Sequence, residues 1–252
     1  MLIINADDFG RSAPETDVAV KCYQDGRITS VSAMVFMADS ERAAELVKED
    51  QLDVGLHLNF TEQFKSERTP PTLGNYHNKI AGFLTRNRYS QVLYNPLLRR
   101  EFVYSYEAQL EEFTRLFGRR PMRVDGHHHM HLCANMLLSN LIPAGMKVRR
   151  NFSFWPGEKS WLNRAYRRVV DRRLAQKYRL TDYFFDLTQC IREKKLDRVV
   201  ALAKSNNVEL MTHPILQLES EYLLGDQFQV MFNRLEVGAG RITAALSSLG
   251  YS

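Results

Sequence analysis

The sequence predicts an α/β protein on a mostly parallel sheet, and three observations carry that reading. Short apolar runs alternate with amphipathic segments along the chain, the pattern of strands interleaved with helices. Of the seven histidines, all but His77 stand at or just beyond the C-terminal end of an expected strand, the edge where parallel α/β folds place their active sites. The 252 residues, 44% hydrophobic and 25% charged, are enough for a substantial core and exclude wholesale disorder.

Taken in order, Leu2 to Asn5 reads as a first buried strand, followed by a helix near 13–25 that Gly26 ends. A second strand runs from Thr29 to Phe36, a helix near 39–50 begins at the N-cap candidate Asp39, and a third strand spans Asp53 to Asn59. From Thr61 to about Pro96 the apolar period disappears, and Pro70-Pro71, Gly74, Asn75 and Asn78 mark an irregular excursion of the kind that shapes a binding site. Its Phe64, Tyr76, Phe83, Tyr89 and Tyr94 offer aromatic faces for stacking against a ligand. A helix to about Phe117 follows, then strands at 122–125, 146–150, 182–187 and 208–212, with helices near 134–143, 160–178 and 195–206 between them. That makes seven strands. With no repeat, low-complexity tract or linker, residues 1–252 read as a single domain carrying an insertion near 61–96.

No run reaches the roughly 18 apolar residues of a membrane span, and the first residues lack the pattern of a signal peptide, so a cytoplasmic protein is expected. Cys22, Cys133 and Cys190 form no paired motif and are expected to be reduced and packed. The formal charge is +5, but residues 147–179 hold eleven Lys and Arg against Glu158 and Asp171, a local excess of nine positive charges. Within it, Trp161, Leu162, Ala165, Tyr166, Val169, Val170 and Leu174 form a helical stripe, with Arg164, Arg167, Arg168 and Arg172 largely off it. The favoured reading is a core-facing stripe with a solvated basic back; the alternative is peripheral docking on an anionic lipid or glycan. Nucleic acid is not expected, because no recognition fold accompanies the charge.

The chemistry sits at the strand ends. The first strand runs into Asp7-Asp8-Phe9-Gly10, and adjacent carboxylates in one low-dielectric pocket call for a cation or a shared proton. In Gly55-Leu56-His57-Leu58-Asn59 the imidazole alternates out of step with the leucines. Four histidines within His127–His131 make a poor core and a poor exposed loop, and a loop can aim only one or two of them at one ion. Thr212-His213-Pro214 ends the last clear strand in an abrupt turn.

Ile4-Asn5-Ala6-Asp7-Asp8-Phe9-Gly10, Gly55-Leu56-His57-Leu58, Val124 to His131 and Thr212-His213-Pro214, in this order, resemble the YdjC-like carbohydrate deacetylases. That family includes chitooligosaccharide deacetylases and the deacetylase of hopanoid biosynthesis; a Ser is common in it where Gly126 stands here. The resemblance implies an irregular TIM-like (β/α) barrel holding one divalent ion, with Asp8, His57 and His127 as ligands, Asp7 as general base and His213 as the acid. One carboxylate and two imidazoles leave coordination positions open for a hydrolytic reaction, in which Asp7 takes the proton of metal-bound water. Two nitrogen donors favour zinc, while the family leaves magnesium open. Asp125 is placed to hold an imidazole tautomer, and His129, His131 and Arg149 are read as supports of the ligands or contacts to substrate. The implied partner is an N-acetylated sugar, free or linked to lipid or nucleotide, and homo-oligomerisation is left open. Two competing readings are a metal-dependent phosphoester hydrolase, which asks for a second ion, and a non-catalytic module binding anionic glycan or lipid.

Overall fold

The computed structural model of the protein describes residues 1–230; the expected single domain extends over residues 231–252, which lie outside the described ones. In chain order the elements are β1 (Leu2–Phe9), α1 (Ala13–Gln24), β2 (Ser30–Ala33), α2 (Ser40–Leu46), β3 (Asp53–Leu58), α3 (Pro71–Leu84), α4 (Arg99–Phe117) and β4 (Arg123–Gly126). There follow α5 (Ala134–Ser139), β5 (Lys147–Val148), α6 (Trp161–Ala175), β6 (Tyr183–Asp186), α7 (Leu187–Arg192), α8 (Leu196–Ala203), β7 (Val208–Thr212) and α9 (Gln217–Leu224). Short 3-10 segments stand at Ser90–Val92, Pro96–Leu98 and His127–Leu132. The seven expected strands all form, hydrogen-bonded in the order β5-β4-β3-β2-β1-β7-β6. The α/β class read from the sequence is the class observed.

Two compact units share these strands. Among the described residues, one holds 1–6, 17–31 and 149–230. In it the start of β1 pairs parallel with β7, from Leu2↔Val208 to Ala6↔Thr212, and β7 pairs parallel with β6, from Tyr183↔Val208 to Asp186↔Met211. All five residues of β7, Val208 to Thr212, are buried there, as a strand covered on both faces requires. The other unit holds residues 7–16 and 32–148. Here β3 pairs parallel with β4 and β4 with β5, over a core of Leu56, Leu58, Phe60, Leu73, Ile80, Phe102 and Phe113. Cys22, Cys133 and Cys190 are buried thiols in no disulfide, as expected.

Three expectations need correction. The excursion at 61–96 is not irregular throughout, because α3 occupies its middle and buries Leu73, His77, Ile80 and Leu84 at helical spacing. Pro70 and Pro71, read as breakers, stand at its N-cap and first turn, where a missing N–H costs nothing. The strand expected at 182–187 ends at Asp186, whose Oδ1 accepts from Gln189 N at 2.6 Å and starts α7 at Leu187. Finally, the apolar stripe of α6 faces outward: Trp161, Leu162, Val169 and Tyr166 are 70%, 63%, 64% and 49% exposed. Of the stripe only Leu174 is buried, on a packed side that is otherwise polar. Asp171 and Leu174 are buried, Asp171 accepts from Arg150 Nη2 at 2.8 Å and from Asn151, and the Arg167 guanidinium lies 5.2 Å over Phe154.

Candidate metal centre

Register builds the first part of the site. In the parallel pair of β3 and β4, His57 stands opposite Asp125, so both side chains leave the same face and meet. His57 Nδ1 donates to Asp125 Oδ1 at 2.8 Å, which fixes the tautomer and turns the Nε2 lone pair the other way. Asp125 is itself held, accepting on Oδ2 from Ser32 Oγ at 2.6 Å and from Arg123 Nη1 at 3.1 Å. Arg123 reaches that far by crossing over Gly55: a Cβ at Gly55 would stand 2.9 Å from its Cζ. The absent side chain in the Gly55-Leu56-His57 stretch is therefore part of how the imidazole is aimed.

Opposite His57 Nε2 is the end of β1. Asp8 has a φ of 64°, the left-handed region that non-glycine residues adopt at a cost of about 1–3 kcal/mol, and this turns its carboxylate out of the strand's alternation. Asp8 Oδ1 lies 3.3 Å from His57 Nε2 and 2.9 Å from His127 Nδ1, while Asp7 Oδ2 lies 3.9 Å from the same His57 nitrogen. Asp7, Asp8, His57, Asp125 and His127 are all buried. Burial opposes the ionisation of Asp8, but the hydrogen bonds and charges of His127 and His57 outweigh it and hold the carboxyl well below the usual range. Burial likewise opposes a charge on His57, yet the carboxylates of Asp7 and Asp125 lift it to about 10. Such a pocket demands a positive charge.

A divalent cation answers that demand. Asp8, His57 and His127 each offer one ligand atom within 4.8 Å of the others, and two imidazoles with one carboxylate are a donor set of hydrolytic metal sites. His57 has its Nδ1 engaged by Asp125 and its Nε2 turned to Asp8; His127 turns its Nδ1 to Asp8, while its buried Nε2 lies 3.2 Å from Glu62 Oε2 without a hydrogen bond. Glu62 and Arg11 are the residues that sequence reasoning missed: Arg11 Nε donates to Glu62 at 3.0 Å, and its Nη1 lies 3.5 Å from Asp8 Oδ2. A carboxylate beside Thr61 in an aperiodic stretch, and an arginine just past Asp7-Asp8, carry no spacing signal of their own.

The other histidines of the cluster part company. His128 and His129 both have positive φ, 51° and 58°, so the chain turns sharply; His128 is exposed, with Nδ1 3.0 Å from Thr61 Oγ1, and His129 is half-buried. His131 is buried against Gly126, where a Cβ would come 2.9 Å from the His131 nitrogen. The absent side chain at Gly126 makes room for that approach.

In the other unit, His213 follows β7 directly, and its N–H donates to Glu219 Oε2 at 2.5 Å, as does Thr212 Oγ1 at 2.5 Å. Glu219 Oε1 accepts from Thr188 N at 3.1 Å and Thr188 Oγ1 at 2.5 Å, and burial pushes the Glu219 carboxyl up. Asp186, His213 and Glu219 also lie within 4.8 Å of one another by one atom each, but Glu219 is already spent on four donors. Arg149 is buried as well, its Nε donating to Glu209 Oε1 at 2.8 Å with the guanidinium 4.9 Å over Phe184.

These features agree with what comparison with known proteins finds. A profile of the YdjC-like protein family matches residues 1–236, and the chain belongs to that family. It is 28% identical to a chitooligosaccharide deacetylase of Proteus mirabilis, with 100% of this chain and 95% of that one aligned. Against carbohydrate deacetylases of mouse and human the identity is 30%, covering 84% of this chain and 77% and 74% of theirs. Among solved structures, one from Enterococcus faecalis V583, provisionally described as a cellobiose-phosphate cleavage protein, superposes with a TM-score of 0.65 at 19% identity over 99% of this chain and 98% of that one. That likeness concerns the fold.

Proposed function

We propose that the protein is a carbohydrate N-deacetylase, hydrolysing the acetamide of an amino sugar to acetate and free amine with one divalent ion held by Asp8, His57 and His127. The observation that carries this reading is the line Asp125–His57–Asp8, in which one carboxylate fixes an imidazole whose other nitrogen faces a second carboxylate, with Asp7 beside them. An ion in such a site, when bound, is a Lewis acid toward a carbonyl oxygen and makes water more acidic. By donor type zinc is preferred over magnesium.

Asp7 takes the proton of the attacking water, being held near His57 Nε2 but not needed as a ligand. Asp125, braced by Ser32 and Arg123, keeps the His57 ring in place. His213 is the proposed proton donor to the departing amine, on the strength of its Thr212-His213-Pro214 motif, and Glu219 fixes the backbone that carries it. The competing reading, a two-ion phosphoester hydrolase, asks for a second ion and further carboxylate ligands, and the oxygens of Asp125 are occupied by His57, Ser32 and Arg123. A cytoplasmic location is part of this proposal; separately, among the described residues no helix is long and apolar enough to cross a membrane.

The test is acetate release from an N-acetylated chitooligosaccharide by purified protein, before and after chelation and after zinc or magnesium is restored. Release that chelation abolishes and an added ion restores is the expected result. Release indifferent to chelation removes the ion from the mechanism, and no release from a panel of free and conjugated N-acetylated sugars removes the activity.

A further inference from the structure

The strongest feature that the proposed reaction leaves unused is the outer face of α6. At about 100° per residue, Trp161, Ala165, Val169, Leu162 and Tyr166 fall in one sector of roughly 140°. Four of them are among the exposed large apolar side chains of the molecule, Trp161 at 70% and Val169 at 64%. Exposed arginines line this ridge, Arg168 and Arg172 toward one edge and Arg173 toward the other, while Asp171 and Leu174 point inward. A basic helix with Trp, Tyr, Leu and Val on its outer face is the pattern of a helix lying in a lipid interface.

We propose that α6 docks this protein on an anionic lipid surface, its apolar ridge in the headgroup boundary and Arg168, Arg172 and Arg173 on the lipid phosphates. Charge selects the occupant. Arg168, Arg172 and Arg173 are exposed beside the ridge, so a two-fold contact between copies through this face would bring the same arginines of both chains together, which costs energy. A soluble polyanion would satisfy the arginines but leave Trp161, Leu162 and Val169 in water. With 15 residues, too few to cross a bilayer, and its outer apolar groups confined to one sector, α6 lies along the surface and does not span it. The inference stands apart from the deacetylase reading and fails or succeeds without it.

The experiment is cosedimentation of the full chain with vesicles of phosphatidylcholine alone and of phosphatidylcholine mixed with phosphatidylglycerol. The protein should pellet with the mixed vesicles, weakly or not at all with the neutral ones, and binding should fall as salt rises. Replacing Arg168, Arg172 and Arg173 together by Gln should weaken it on the order of a hundredfold, at roughly tenfold or less per charge. The chain has two tryptophans, so Trp155→Phe leaves Trp161 as the reporter; its emission should shift to the blue on anionic vesicles. The double substitution Leu162→Ser and Val169→Ser should weaken binding with the charge unchanged and the circular dichroism preserved. Equal binding to neutral vesicles, or none to anionic ones, overturns the proposal. So does a Trp161 emission already blue-shifted without lipid, which would put another part of the chain or a second copy on the ridge. Heparin binding with no emission shift on vesicles would assign the arginines to a soluble polyanion instead.

Discussion

At the end of β3 and at the end of β7 a histidine meets carboxylates, and the two clusters have been put to different uses. Asp8 receives its close contacts from the rings of His57 and His127, two nitrogens that a cation can take over. Glu219 accepts from two hydroxyls and two backbone N–H groups, none of which a cation can replace without leaving buried donors stranded. The same residue types at strand ends thus give an exchangeable site in one case and a clamp in the other. What separates them is the kind of donor each carboxylate already holds.

This contrast can be broken by substitution. The largest effect is expected from Asp8→Ala, which should abolish loading of a divalent ion, read by metal analysis after dialysis; an ion retained at full stoichiometry would place it elsewhere. Asp125→Asn should be milder. It leaves the ligands in place but loosens the His57 tautomer, so ion affinity should fall by about 10–100-fold in a competition titration, and unchanged affinity would make Asp125 a bystander. Glu219→Gln should leave ion loading untouched and instead lower folding stability by about 1–3 kcal/mol in urea denaturation, because an amide cannot accept from all four donors. Loss of the ion in that variant would erase the distinction between the clusters.

A third histidine sharpens the comparison with the smallest expected effect. His77 is buried in α3 with its ring centroid 4.3 Å from that of Phe64, and burial pushes it down from 6.5 to about 4. Between those values the unfolded chain binds a proton that the folded chain refuses, so stability should fall as pH drops from about 6.5 toward 4, by at most about 3 kcal/mol, and be flat above. His77→Phe should remove that part of the acid sensitivity. Parallel loss of stability in both proteins would show that this imidazole is not the neutral packing piece the structure makes it.

Much of this was legible in the sequence, for identifiable reasons. All seven strands were, and β1, β3 and β7 most directly, because they are largely apolar stretches that carry or lead into chemically distinctive residues, Asp7-Asp8, His57 and His213. The meeting of Asp8, His57 and His127 was expected from strand ends, and the geometry places their ligand atoms together. Glu62 was invisible because it reaches His127 from a loop whose path no periodicity reports. The helix α3 was hidden by prolines that begin a helix as readily as they break one. The outward stripe of α6 marks a different limit. Periodicity shows that a helix has two faces, and only the packing of Asp171, Arg150 and Phe154 shows which of them is covered.

The central claim is that Asp7 acts as a base beside an ion it does not hold, and Asp7→Asn tests it most directly. Metal content and acetate release are measured on the same preparation of that variant. The expected result is one divalent ion per chain, as in the parent, with turnover of an N-acetylated sugar reduced by about 10²–10⁴-fold, the usual contribution of a general base. An ion lost with the carboxylate would make Asp7 a ligand, and turnover unchanged with the ion in place would remove it from the reaction.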